Sequence, residues 1–291
     1  MPRRTREPEP PADAPVPATE TALPMVGAAT SQFAEISRGI VRDQPPPPPR
    51  RLERGAVIFD VDGTLLDDMG LISALAGRVL EEAFGTPAEE GRLHYLATTG
   101  MPFEAQLAQL YAEAPASERL SVARSFHLRK VTEAYAAAHP FPEVPKLLKR
   151  LAAAGWTLAV STGAEREMAD LVLEREGLRY WFEDVLGSGQ GTKREHLAEY
   201  RRRYPGVPIV LVGDSRFDLE AAQSVDGVVP VARATQMPGW TLSPDDLRRW
   251  GATWADYSLS GLPEALEAIV GPAGATRSSP PRTGGRRAKA R

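Results

Sequence analysis

One short segment restricts the fold of this chain more than any other: residues 56–62 read AVIFDVD, an apolar run that ends in two carboxylates. A short apolar run bounded by polar residues predicts a buried β-strand. Further strands are predicted at 157–161, near 185–186, at 209–213 and at 228–231, with helical periodicity between them. Because strands that alternate with helices are typical of a parallel sheet covered on both faces, the pattern predicts an α/β fold with a doubly wound sheet.

The alternation of strands and helices is interrupted after the first strand. Residues 67–140 contain apolar positions at helical spacing, such as Leu71 and Leu75, and no convincing strand. We therefore predict a helical unit inserted into one α/β core, with the core comprising residues 55–66 and 141–270.

The two ends of the chain differ in composition from the middle. Residues 1–54 contain 12 of the 27 prolines. Since each proline fixes φ and removes a backbone donor, we predict a disordered N-terminal segment. Residues 271–291 contain six basic and no acidic residues and are rich in Gly, Pro and Ser, which predicts a disordered basic tail.

Charge, cysteine content and hydropathy exclude several classes of function. Residues 55–270 contain 21 basic and 31 acidic residues, and an acidic body of this kind is a poor surface for nucleic acid. The chain has no cysteine, which excludes disulfides and thiolate zinc sites and fits a cytoplasmic location. No apolar run approaches the ~18 residues that a membrane span requires, so we expect no membrane association.

Polar side chains follow the predicted strands at the point where each strand ends. Asp60 and Asp62 close the first strand, Ser161 ends the second, and Asp214 follows a later one. Because the carboxyl ends of parallel strands share one edge of the sheet, we expect these residues to meet there. Carboxylates gathered at one edge repel each other unless a divalent cation neutralises them, and oxygen ligands favour Mg²⁺.

Four motifs resemble those of the haloacid dehalogenase (HAD) superfamily, and they occur in the family's order within residues 55–270. The first is the apolar run with DVDGTL at residues 60–65, and the second is the strand that ends in Ser161. The third is Lys193 at a helix start, and the fourth is GDSRFD at residues 213–218. The resemblance implies a HAD-type α/β core and a phosphatase similar to the phosphoglycolate phosphatases of this superfamily.

The resemblance also implies roles for individual residues. Asp60 is expected to be the nucleophile that forms an aspartyl phosphate, and Asp62 the general acid and base. Ser161 is expected to donate a hydrogen bond to a phosphoryl oxygen, and Lys193 to bring a positive charge to the transferring group. Since Asp60 and Asp62 are two positions apart on an extended strand, we expect both side chains on the same side of it.

Mg²⁺ is the cofactor that the resemblance implies. Asp60, Asp214 and the backbone carbonyl of Asp62 are expected to bind it directly, while Asp218 holds a metal-bound water or orients Lys193. The inserted helical unit is expected to be a cap of the helical type that closes over the site. Substrate contacts are expected from the core and from one cap loop, at Thr64, Thr162, Gly163, Thr99, Gly100 and Met101.

The expected reaction is hydrolysis of a small phosphorylated metabolite by a monomer or homodimer. One alternative is a phosphomutase similar to β-phosphoglucomutase, which uses the same core but does not release inorganic phosphate. A second alternative is a non-catalytic scaffold tethered through its tails. A haloacid dehalogenase proper is disfavoured, since that chemistry uses no metal and this chain retains Asp62 and Asp214.

Overall fold

A computed structural model describes residues 54–271 of the chain. The predictions of disorder for residues 1–54 and 271–291 therefore lie outside the described residues, except at Arg54 and Gly271. Within the described range the chain forms a six-stranded sheet and a separate two-stranded hairpin, with helices between the strands.

The strands of the main sheet are all parallel, as predicted. In chain order the strands are β1 Gly55–Phe59, β2 Trp156–Ser161, β3 Val185–Leu186, β4 Ile209–Gly213, β5 Val228–Arg233, β6 Thr235–Met237, β7 Trp240–Leu242 and β8 Trp254–Asp256. The order across the sheet is β3-β2-β1-β4-β5-β8, while β6 and β7 form the antiparallel hairpin. The order changes direction between β1 and β4, which is the point at which α/β sheets bind ligands.

Helices cover both faces of the sheet. In chain order the α-helices of the described residues are α1 Met69–Phe84, α2 Ala88–Ala97, α3 Phe103–Leu110, α4 Ala116–Arg129, α5 Val144–Ala153, α6 Arg166–Arg175, α7 Lys193–Arg203, α8 Arg216–Gln223, α9 Pro244–Arg249 and α10 Leu262–Val270. Val57 and Phe59 of β1 belong to one apolar cluster, and Ala56 and Ile58 belong to another with Leu197 of α7. Both faces of β1 are therefore buried, and the prediction of a doubly wound α/β fold is confirmed.

The helical insertion, residues 67–140, contains α1 to α4 and then a π-helical segment, Lys130–Tyr135. Leu66 pairs with Pro140 in an antiparallel bridge, so the chain leaves and re-enters the α/β core at one point. Apolar residues of the insertion continue the cluster that covers one face of the sheet. None of the helices between residues 54 and 271 is long and apolar enough to cross a bilayer.

Three parts of the structure differ from the sequence-based expectations. β1 ends at Phe59, so Asp60 and Asp62 lie in the turn that follows the strand. Helix α2 is not evident from apolar periodicity, because its sequence is mostly polar and only Gly91 and Leu96 are buried. The hairpin strands β6 and β7 and the edge strand β8 are three residues each, which is too short for a periodic pattern.

Candidate active site

The turn after β1 fixes Asp60 at the carboxyl edge of the sheet. Its amide donates to the carbonyl of Val212 on β4 at 2.8 Å, which continues the pairing of the two strands by one residue. Asp60 is only 7 % exposed. Its Oδ1 accepts from the Val61 amide at 2.8 Å, and its Oδ2 lies 2.8 Å from Nζ of Lys193. The carboxylate is therefore held by backbone on one side and faces a cation on the other.

Lys193 lies between two carboxylates. It is the first residue of α7, whose start is fixed by a capping box between Thr192 and Glu195. Its ammonium contacts Asp218 as well as Asp60. Burial alone would lower the pKa of Lys193, but the charges of Asp218 and Asp60 outweigh this effect and raise it. The ammonium therefore stays charged, although the start of a helix is an unfavourable position for a cation.

Asp214 follows β4 and completes an acidic cluster. It is 4 % exposed, and its Oδ1 has no hydrogen-bond partner in the described part of the chain. One carboxylate oxygen from each of Asp60, Asp214 and Asp218 lies within 4.8 Å of the other two. The structure thus brings together the predicted acids from distant segments of the chain. A buried, unpartnered oxygen beside two more carboxylates fits a divalent cation that takes oxygen ligands, such as Mg²⁺.

The acids of this cluster disfavour one another's ionisation. Burial raises the pKa of Asp60 to about 7 against the opposing charge of Lys193, and the nearby Asp218 and Asp62 add to the rise. Burial, together with Asp218 and Asp60, also raises the pKa of Asp214 well above its ordinary value. A cation bound among these carboxylates would favour their charged forms instead, because its charge opposes theirs.

Gly63 lets the turn of the DVDGTL motif pass close to Asp214. Its φ is 69°, and a Cβ at this position would lie 2.1 Å from Oδ2 of Asp214. The Gly63 amide donates to Oδ1 of Asp68 at 3.0 Å. Thr64 is fully buried, and its hydroxyl has no hydrogen-bond partner within residues 54–271. The structure therefore puts Thr64 in the turn beside the acids, and its predicted contact with substrate stays a prediction.

Asp62 has different partners from Asp60. Its Oδ2 lies 2.5 Å from Nζ of Lys130, and its Oδ1 accepts from the Tyr135 hydroxyl at 2.8 Å. Burial would raise the pKa of Asp62, but the Lys130 charge and hydrogen bonds from Lys130 and Tyr135 hold it below its ordinary value. The expectation that Asp60 and Asp62 belong to the extended strand is wrong, because β1 ends at Phe59.

The end of β2 supplies the second predicted segment of the site. Ser161 is fully buried at the end of the strand next to β1, and its Oγ lies 2.9 Å from Nδ1 of His196. The Thr162 hydroxyl accepts from a backbone amide two residues later at 3.2 Å, so it also stabilises the turn. A Cβ on Gly163 would meet nothing within 4 Å, which leaves open space beside this turn.

The loop between α2 and α3 reaches the core from the helical insertion. A Cβ on Gly100 would lie 2.7 Å from Oγ of Ser215, which follows Asp214, and 2.7 Å from Cβ of Phe217 in the first turn of α8. The Thr99 hydroxyl donates to a carbonyl of α2 at 3.1 Å, and the Met101 backbone is hydrogen-bonded within the loop. Of these three predicted residues, Gly100 has a close contact beside the acidic cluster.

The sequence analysis missed Lys130, Tyr135 and His196, which reach predicted site residues from distant parts of the chain. Tyr135 has the spacing of a buried helix position, which predicts packing and no polar role. The histidines show no spacing typical of metal ligands, so the sequence predicts only a surface or structural role for His196. No local pattern could link these residues to partners that lie 35 to 73 positions away in the chain.

The comparison with protein families agrees with this fold and site. Residues 57–229, more than half of the chain, match the model of the haloacid dehalogenase-like hydrolases. The fold and the acidic cluster are therefore those of a hydrolase with an α/β core, and the chain belongs to the haloacid dehalogenase-like hydrolase family. The family assignment made from the four motifs is confirmed.

Two curated relatives and one solved structure illustrate the similarity. The chain is 33 % identical over 177 residues to "Probable phosphatase IndB" of Dickeya dadantii, covering 57 % of this chain and 76 % of that protein. It is 30 % identical over 235 residues to a phosphoglycolate phosphatase of Neisseria meningitidis, covering 73 % and 92 %. A HAD family hydrolase of Deinococcus radiodurans, solved with bound phosphate and sodium, has a TM-score of 0.53 at 24 % identity, covering 76 % and 100 %. The prediction of a phosphoric monoester hydrolase is thereby confirmed at the level of enzyme class.

Proposed function

We propose that this chain is a Mg²⁺-dependent phosphatase that hydrolyses a small phosphomonoester through an aspartyl-phosphate intermediate. The observation that carries the proposal is the convergence of Asp60, Asp214 and Asp218 around Lys193. Phosphoryl transfer depends mainly on positioning and on stabilisation of negative charge. A carboxylate held beside a buried ammonium, within a cluster of acids suited to a cation, meets both requirements.

The proposed reaction has two steps at phosphorus. A carboxylate oxygen of Asp60 attacks phosphorus, and the bond from phosphorus to the leaving oxygen breaks. Asp62, once its ion pair with Lys130 has opened and it has taken up a proton, gives that proton to the leaving oxygen. Asp62 then takes a proton from a water whose oxygen attacks phosphorus, which breaks the bond to Asp60 and releases inorganic phosphate. Lys193 stabilises the negative charge of the transferring group, and Ser161 donates a hydrogen bond to one of its oxygens.

Asp60 and Asp214 would hold the Mg²⁺ ion, together with the backbone carbonyl of Asp62. The unpartnered Oδ1 of Asp214 supports this assignment. When bound, the ion balances the charge of these carboxylates and of the phosphoryl group. Asp218 has both oxygens engaged, by Lys193 on one side and by Ser215 on the other, which favours a role in orienting Lys193.

We interpret the helical insertion, residues 67–140, as a cap over the site. Lys130 and Tyr135 reach Asp62 from it, and the Gly100 loop touches the segment after Asp214. Contacts of this kind exclude bulk water and leave room for a substrate of limited size. The substrate contacts proposed on this basis are those named from the sequence, at Thr64, Thr162, Gly163, Thr99, Gly100 and Met101.

Phosphoglycolate is the first substrate to test. The relative from Neisseria meningitidis carries the name phosphoglycolate phosphatase and is matched over 92 % of its length. The phosphate bound in the Deinococcus radiodurans hydrolase supports a phosphoryl site in this fold. A cytoplasmic location and a monomeric or homodimeric state complete the proposal, as expectations from the sequence.

The proposal is tested by the release of inorganic phosphate from a panel of phosphomonoesters, including phosphoglycolate and an aryl phosphate. We expect release with Mg²⁺ and none with a chelator. Asp60→Asn removes the nucleophilic oxygen charge and should lower kcat by about a thousandfold or more. Asp67→Asn makes the same chemical change on an exposed carboxylate and should leave kcat within about twofold.

Two results would contradict the assignment. Undiminished phosphate release by the Asp60→Asn variant would show that another residue is the nucleophile. Conversion of a sugar phosphate to its isomer without phosphate release would identify a phosphomutase instead. Both are read from the same assay when the products are separated.

A further inference from the structure

The buried contact between Ser161 and His196 is not used by the mechanism above. Ser161 Oγ and His196 Nδ1 are 2.9 Å apart, and the two residues are 0 % and 4 % exposed. A polar contact with this degree of burial needs its donor and acceptor to be matched. The pair lies at the end of β2, where a phosphoryl oxygen is proposed to bind.

Helix α7 supplies the two basic side chains that face Asp60 and Ser161. Lys193 and His196 are three residues apart in α7, so they project from the same face of its first turn. The capping box between Thr192 and Glu195 fixes this turn. The turn that holds Lys193 against Asp60 therefore also holds the imidazole against the end of β2.

The imidazole of His196 is neutral, so only one of its two ring nitrogens carries a hydrogen. Burial lowers the pKa of His196, and the Glu195 carboxylate and the Gln190 backbone offset this only in part. A neutral imidazole donates from one nitrogen and accepts at the other. Its Nε2 is buried and makes no hydrogen bond of standard geometry with the described residues. Of the two ring nitrogens, only Nδ1 has a partner at standard hydrogen-bond geometry among the described residues, so a hydrogen on Nδ1 is paired with Ser161 Oγ.

The hydrogen-bonding properties of a phosphoryl group also favour a hydrogen on Nδ1 of His196. Phosphoryl oxygens only accept hydrogen bonds, and the Ser161 hydroxyl has one hydrogen to give. If Ser161 donated to His196, that hydrogen would be lost to the ligand. We propose that His196 is the positioning residue of Ser161: its Nδ1 donates to Ser161 Oγ and leaves the serine hydrogen for a phosphoryl oxygen. This inference rests on the proposed phosphatase function.

The test replaces the donor and keeps the volume. His196→Leu is expected to lower kcat/KM for the best substrate by about tenfold, with the larger change in KM, and to raise the Kd of inorganic phosphate by a similar factor. His196→Asn keeps an N–H near the position of Nδ1 and is expected to restore most of both values. Calorimetry with inorganic phosphate in the presence of Mg²⁺ measures binding without turnover.

A double-mutant cycle separates positioning from a general structural effect. If His196 acts through Ser161, the double variant should differ from Ser161→Ala alone by less than about twofold in kcat/KM and in the Kd of phosphate. Tyr200→Phe removes a buried hydroxyl from the same helix, where it donates to Asp184 at 2.9 Å, and is the matched control for helix stability. It should leave phosphate binding unchanged.

Each outcome decides the inference. The positioning role of His196 would be overturned if the effects of His196→Leu and Ser161→Ala multiply in the double variant. It would also be overturned if His196→Asn does not restore phosphate binding. If the wild-type protein releases no phosphate from any substrate, the proposed function fails, and the calorimetric cycle still decides whether His196 acts through Ser161. If inorganic phosphate binds equally well to the wild-type protein and to His196→Leu, the positioning role is wrong.

Discussion

Gly63 determines both the backbone conformation of the DVDGTL turn and the distance of this turn from Asp214. Its left-handed φ of 69° is unfavourable for residues with a side chain, and its hydrogen occupies the space beside Oδ2 of Asp214. The DVDGTL turn can therefore bring Asp60 and Asp62 next to Asp214 only when glycine stands at this position. The cost of the left-handed φ and the cost of the close approach to Asp214 can be measured separately, because Gly85 has a left-handed φ and no close neighbour.

Gly63→Ala is expected to lower the free energy of unfolding by about 2 kcal/mol or more and to abolish phosphatase activity. The strained φ and the 2.1 Å approach of its Cβ to Asp214 both contribute. Gly85→Ala is the matched control: its φ is 71°, but its Cβ would meet nothing within 4 Å. That variant should lose about 1 kcal/mol in urea unfolding and keep its activity. Equal loss of activity in both variants would refute the proposed contact with Asp214.

The residues that could be predicted from sequence are those whose positions depend on local pattern. Asp60, Ser161 and Asp214 adjoin strands that are readable as apolar runs, and parallel topology brings strand ends together. Lys130 and His196 could not be assigned, because their contacts depend on how distant helices pack against the core. The partners of Asp62 were missed for a second reason. The apolar pattern does not reveal that β1 ends at Phe59, so it does not show that Asp62 lies in the turn after the strand.

At the scale of elements, the π-helical segment Lys130–Tyr135 explains how two residues of the insertion reach one carboxylate. In an α-helix, positions five apart point about 140° away from each other. A π-helix forms its hydrogen bonds five residues apart, so Lys130 and Tyr135 come onto one face. The Lys130 ammonium also lies 4.8 Å from the centre of the Tyr135 ring. The segment thus presents a cation and a hydroxyl together to Asp62.

Lys130→Met and Tyr135→Phe are each expected to lower kcat/KM by about tenfold or more, because each removes a hydrogen-bond donor to the Asp62 carboxylate. The double variant should lose less than the product of the two effects, since both residues act on the same carboxylate. Steady-state kinetics with the best substrate measures these changes.

Arg129→Met is the control for this segment. Arg129 precedes Lys130 and pairs with Glu82 and Glu133 on the surface, so its loss removes a charge without touching Asp62. We expect kcat/KM within about twofold of the wild-type value. If Arg129→Met and Lys130→Met reduce activity equally, the effect belongs to the stability of the segment and not to Asp62.

At the scale of the whole molecule, the acidic cluster is expected to make the stability of the folded state depend on a bound cation. Asp60, Asp214 and Asp218 are each no more than 7 % exposed, and Lys193 is the only cation that contacts any of them among the described residues. Burying three carboxylates against one ammonium costs free energy in the absence of a further cation. A ligand that binds only the folded state stabilises it by an amount that grows with the logarithm of its concentration divided by its Kd.

We therefore expect Mg²⁺ to raise the Tm of the wild-type protein. At a concentration about 100 times its Kd, the gain is about 2.7 kcal/mol, or about 5–10 °C for a protein domain of this size. Asp214→Asn should abolish this rise, because it replaces a charged carboxylate, whose Oδ1 has no other partner, by a neutral amide that binds Mg²⁺ poorly. Without Mg²⁺ the same variant should melt at or above the wild-type temperature, since a neutral amide replaces a buried carboxyl group whose ionisation is disfavoured there.

Asp226→Asn provides the comparison for this measurement, because it neutralises an exposed carboxylate in the α/β core. Its melting temperature should rise with Mg²⁺ as in the wild-type protein. Differential scanning fluorimetry over a series of Mg²⁺ concentrations gives the Kd for each variant. A Mg²⁺-dependent rise that persists in Asp214→Asn would mean that the ion binds elsewhere, and the assignment of these carboxylates as its ligands would have to be abandoned.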